Sequence, residues 1–133
     1  MVWSHGSVVR GAAAPPSSAP WRARQLPLET ARAIAAKGGV VGLWALSIDV
    51  GRSPEAYADR LLQMVDWLGE DHVGFGTDIN GLGPNAALRS YADVRRVVET
   101  CDPRGLLITT SCATEQEARD LLAMAPQWAR ARR

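Results

Sequence analysis

Cysteine, lysine, histidine and phenylalanine are all scarce in this chain, and their scarcity narrows what it can be. The two cysteines, Cys101 and Cys112, are too few for a disulfide framework, and their spacing matches no zinc motif. A reduced, cytoplasmic protein is the corresponding expectation. Lys37 is the only lysine among 15 basic residues; the rest are arginines scattered along the chain, and 14 acids bring the net charge to +1. That balance argues against a nucleic-acid partner or a lipid-headgroup surface. Long apolar runs are missing too. Nothing approaches the ~18 residues of a membrane span, and the start lacks the basic and apolar regions of a signal peptide. No P-loop, dinucleotide-binding glycine pattern or HExxH helix occurs.

What is present reads as an α/β protein. The 133 residues are 47% apolar and 22% charged, within the size of one domain that buries a core. Met1-Val2-Trp3-Ser4 is a short apolar run that suits the end of a strand. Residues 11–20, dominated by Ala, Pro, Ser and Gly, predict a flexible loop. Pro27 sits where a first-turn proline is tolerated, and alanine-rich Leu28 to Lys37 predicts a helix that Gly38-Gly39 stops. Val40 to Trp44 is a continuous apolar run, as in a parallel strand buried on both faces. Ser53-Pro54-Glu55 then reads as a helix start, with Tyr57, Leu61, Met64, Val65 and Leu68 on one buried face and Gly69 at its end.

Val73 to Gly76 predicts a further strand, followed by a polar loop from Thr77 to Asn85 and a helix from about Leu88 to Thr100. Alternating strands and helices imply parallel strands joined by crossovers. Leu106 to Ile108 suits either a strand or a helix, and Thr114 with Glu117 forms a capping box for a last helix to about Met124. Two or three such units do not close a barrel, which needs eight and roughly 250 residues. The count therefore fits either a small open domain or a piece of something larger.

In parallel α/β folds, polar residues just past the C-terminal end of a strand line the active face. Asp78 is so placed after Val73 to Gly76, although an aspartate there also suits an Asx-turn. His5 follows the first apolar run and falls on the same face, whereas His72 precedes its strand and lies on the face that serves stability. Arg24 offers a planar fork for a carboxylate. Asp49, beyond the Val40 to Trp44 run, is a weaker candidate on the active face.

Taken together, Ser4-His5, Arg24 to Pro27, Gly38-Gly39 and Gly74 to Asp78 resemble, in order, motifs of the membrane (renal) dipeptidase family over about residues 1 to 100. The resemblance is centred on the stretch His72-Val73-Gly74-Phe75-Gly76-Thr77-Asp78-Ile79-Asn80-Gly81, and the order and spacing of the motifs together carry it. The resemblance implies the C-terminal strand-helix units of a (β/α)8 TIM-like barrel. It further implies two zinc ions, dipeptide hydrolysis by a zinc-activated water, His5 as a metal ligand, Arg24 on the substrate carboxylate and Asp78 as the proton-handling acid. The family's upstream His-x-Asp pair, its bridging glutamate and its other zinc-binding histidine have no counterpart here, and Asn80 replaces an aspartate.

The expectation is therefore a metal-dependent dipeptidase present as a partial chain, with a homodimer or a missing N-terminal half as partner. The alternative is a non-catalytic fragment or accessory module of such a barrel. A third reading, a small phosphate- or nucleotide-binding domain, rests on the glycine-rich strand alone.

Overall fold

A computed structural model describes residues 1–9 and 24–101. The predicted loop at 11–20, the elements expected after Cys101, and Cys112 lie outside the described residues. Four parallel strands form one sheet in the order β2-β1-β3-β4: β1 (Val2–Val9), β2 (Gln25–Pro27), β3 (Val40–Leu43) and β4 (Val73–Phe75). The helices are α1 (Leu28–Ala35), α2 (Ser47–Val50), α3 (Pro54–Leu68), α4 (Ile79–Leu82) and α5 (Tyr91–Cys101), α2 and α4 being single turns. A parallel sheet with connecting helices bears out the α/β class and accords with part of a barrel.

Local sequence accounts for most of this. Ser53 caps α3 by accepting the Ala56 amide at 3.2 Å, with Pro54 in the first turn. Along α3, Tyr57, Leu61, Met64 and Leu68 are buried, while Val65 is only half-buried. Helix α5 starts at Tyr91 and not at Leu88, because Ser90 and Asp93 cap it: the Asp93 amide donates to Ser90 Oγ at 3.3 Å, and the Asp93 carboxylate accepts the amide of Arg89, the residue before Ser90, at 2.8 Å. Leu88 is instead fully buried ahead of the helix. Burial is heaviest on the inner strands, where the consecutive Ser7 and Val8 of β1 are both 0% exposed. Successive strand residues point to opposite faces, so β1 is covered on both.

Two expectations need correction. The first apolar run is not a strand end: β1 continues through His5 to Val9, since Gly6, Ser7 and Val8 are also buried. Gln25–Pro27, expected only as the approach to a helix, pairs with Ser7 to Val9 as β2. Three residues carry too little pattern to announce a strand, and the ladder with β1 supplies the stabilisation.

Among the described residues no helix is long and apolar enough to cross a membrane.

Candidate functional site

The site is organised by an irregularity in β1. Trp3 pairs with Val41 and Gly6 with Leu43, so three steps along β1 oppose two along β3. One residue of Ser4-His5 is therefore extra, the arrangement of a β-bulge, which re-aims the chain locally. The Ser4 carbonyl consequently rests on Gly42 of β3 and reaches over it to Gly76, just past β4. A Cβ on either glycine would collide with that carbonyl, and one on Gly76 would also stand 3.0 Å from His5 Cα. Glycine at both positions lets β1 touch the end of a strand that is not its neighbour.

Beyond the strands, the β3–β4 ladder runs on. The Gly76 amide donates to the Leu43 carbonyl at 2.9 Å, and the Ala45 amide to the Thr77 carbonyl at 3.0 Å. Helix α3 braces this junction from beneath. The Tyr57 hydroxyl donates to the same Leu43 carbonyl at 2.6 Å, and its ring stacks on Phe75 with centroids 5.8 Å apart. Burial pushes the Tyr57 phenol far above its ordinary pKa.

Asp78 follows directly. It is the only non-glycine residue with positive φ among those described (φ 51°, ψ 35°), a conformation that aspartate tolerates better than most. Its carbonyl accepts the amides of Gly81 and Leu82 at 3.0 and 3.1 Å, while its side chain makes no capping bond to α4. The Asx-turn open to it from sequence is thus not formed. Its carboxylate lies against Gly81, where a Cβ would stand 2.9 Å from Cγ. No hydrogen bond or salt bridge among the described residues engages that carboxylate.

On the other flank, the Arg24 carbonyl packs against Gly6, where a Cβ would be 2.5 Å from it. The Arg24 side chain is exposed, and no polar partner among the described residues holds it. Backbone contacts thus bring Arg24, His5 and the approach to Asp78 to one level of the sheet, from three elements. His5 is half-buried, and its Nδ1 lies 2.7 Å from Ser4 Oγ.

The remaining candidates are structural. Asp49 accepts from Trp44 Nε1 at 2.7 Å and from Gln25 Nε2 at 3.4 Å, tying α2 to the end of β3 and to β2. His72 Nδ1 is 2.9 Å from the Gly39 carbonyl oxygen, the stability role expected of its face. Sequence reasoning missed Arg60, which donates to the Val8 carbonyl and to Ser7 Oγ and lies over the Trp67 ring. Burial lowers its pKa, with Asp49 acting the other way. It satisfies β1 where β3 has already ended. Its only signal was an arginine three residues after Tyr57 and four before Met64, on the apolar face of an amphipathic helix.

Among the described residues no group of three His, Cys, Asp or Glu side chains comes together to hold a metal ion. The zinc pair implied by the dipeptidase resemblance therefore does not fit these residues alone.

No protein-family model and no curated protein matches the sequence. Among solved structures, the chain is similar to a crystal structure of an amidohydrolase from Pseudomonas aeruginosa, with TM-score 0.53 and 18% identity. The likeness is one of fold. It covers 80% of this chain and 39% of that one, so the chain spans well under half of the larger protein's length.

Proposed function

We propose that the chain is part of an amide-bond hydrolase, most specifically a metal-dependent dipeptidase barrel, to which it contributes His5, Arg24 and Asp78. The observation that carries this reading is the bulge that seats His5 beside Gly76, two residues before an aspartate in a strained conformation. Strain of that kind costs on the order of 1 kcal/mol or more and clusters at functional sites. A peptide bond is an amide, so dipeptide cleavage falls within the reaction class that the Pseudomonas protein's description names.

In this reading the Asp78 carboxylate takes a proton from the attacking water and returns it to the departing amine. Arg24, exposed at the same level, receives the substrate's terminal carboxylate through its guanidinium fork. A completed barrel would hold two zinc ions through His5 and further ligands from a missing half or a second copy, and the metal would supply an activated water. That no three-ligand group forms among the described residues favours a second reading, an accessory module that is inert by itself.

Hydrolysis of a dipeptide panel in saturating zinc, with metal content measured alongside, separates these readings. The expected outcome is weak zinc binding and a low rate that Asp78→Asn reduces about 100-fold. A low rate indifferent to Asp78→Asn removes that residue from the chemistry, and no rate at all supports the accessory module. Tight two-zinc stoichiometry with robust turnover would contradict the incomplete site.

A further inference from the structure

We infer that Asn80-Gly81 is a self-modification site: Asn80 deamidates when the turn after Asp78 opens, and so gains a carboxylate two residues from that aspartate. The sequence holds only two asparagines, Asn80 before Gly81 and Asn85 before Ala86. Asparagine is a labile side chain. It is most labile before glycine, because nothing then hinders the backbone nitrogen that attacks its side-chain carbonyl. Both Asn80 and Gly81 are exposed.

The glycine answers to Asp78. A Cβ on Gly81 would stand 2.9 Å from Asp78 Cγ and 3.0 Å from Oδ2, so a side chain there would displace the carboxylate. Seating the aspartate therefore creates the reactive pair, and the same geometry restrains it. The Gly81 amide donates to the Asp78 carbonyl at 3.0 Å, and the Leu82 amide donates to the same oxygen at 3.1 Å. The attacking nitrogen is thus engaged. It must also shed its proton beside a carboxylate, whose charge opposes that loss. The restraint is short: α4 is a four-residue turn, and the left-handed Asp78 that precedes it is itself costly. Exposed single turns open locally at low free energy.

In the open turn the Gly81 nitrogen loses its proton and bonds to Asn80 Cγ. The Cγ–Nδ2 bond breaks, and ammonia leaves with a proton. Water then hydrolyses either carbonyl of the cyclic imide, giving aspartate or isoaspartate. The sum is amide plus water to acid plus ammonia, with no oxidant or reductant. Repulsion between the new carboxylate and that of Asp78 disfavours reclosing. The loop thus keeps a chemical record of having opened.

The test is peptide mass spectrometry on the full chain after incubation at mildly alkaline pH, in buffer and in concentrated urea. Isoaspartyl methyltransferase labels the isomerised product. In buffer, Asn80 should convert to a mixture of aspartate and isoaspartate while Asn85 lags. In urea, which removes the turn, conversion of Asn80 should be about 10-fold faster or more. Asp78→Asn removes the charge and keeps the shape, and should speed conversion in buffer while leaving the urea rate nearly unchanged. Equal rates in buffer and urea would overturn the inference. So would an Asn80 that reacts no faster than Asn85 in buffer, or a buffer rate indifferent to Asp78→Asn. Should that variant not fold, the wild-type rates decide the matter alone. Dipeptide turnover plays no part in this readout, so it stands or falls separately from the hydrolase reading.

Discussion

Single residues without side chains do most to assemble the site. Gly42 and Gly76 admit the Ser4 carbonyl, and Gly74, two residues away, meets only Val40 Cγ1, at 3.3 Å from a would-be Cβ. The two positions should therefore respond differently to alanine. Gly76→Ala is expected to cost about 1–3 kcal/mol, the usual range for overpacking a tight site. Gly74→Ala should cost less than half as much, because an isopropyl group yields more easily than a backbone carbonyl. Urea denaturation of both variants checks the order, and equal costs would mean that the Ser4 contact is not the constraint. The importance of Gly42 was not legible in the sequence. It sits inside an apolar run, and only the bulge in β1 shows what lies on it.

At the scale of elements, α3 matters more than its amphipathic pattern suggests. Tyr57 joins it to the Leu43 carbonyl, which also receives the Gly76 amide. Burial raises the folded-state phenol pKa, whereas the unfolded chain ionises near 10. The sign follows from linkage: this contribution to stability is complete below about pH 10 and is lost as pH rises beyond it. Denaturation at pH 9 and pH 11 should show the wild type weakening more than Tyr57→Phe. The variant itself should lose about 1 kcal/mol at neutral pH, the ordinary worth of one hydrogen bond. Identical slopes for the two proteins would place the alkaline sensitivity elsewhere.

The element pattern was largely readable from sequence. Ser53-Pro54-Glu55 marked the α3 start to the residue, because capping chemistry is local. β2 was not readable, because its reason to exist lies in β1 and not in its own three residues. Asp78 could be placed just past a strand end, whereas His5, expected there too, lies inside β1. What could not be read was that the extra residue in β1 carries Ser4-His5 across an intervening strand.

For the whole molecule, the sheet leaves edges at β2 and β4 among the described residues, and all three residues of β4 are only half-buried. In a closed barrel such strands would have further neighbours. The isolated chain is expected to bind an environment-sensitive hydrophobic dye and to associate at micromolar concentration. Dye fluorescence combined with light scattering tests this. A dye-silent monomer would show that the chain covers its own edges.

The wedge of Ser4 between two glycines also bears on how the molecule comes to be correct. Strand pairing is specified by side-chain period, and a slip of one residue exchanges the faces of a strand. A one-residue slip of β3 would bring Val41 or Leu43 under the Ser4 carbonyl in place of Gly42. Neither side chain fits there, so His5 cannot reach Gly76 unless β1, β3 and β4 are all in register. The junction is thus its own proofreader: a misaligned sheet excludes the geometry outright, and does not yield a poorer version of it.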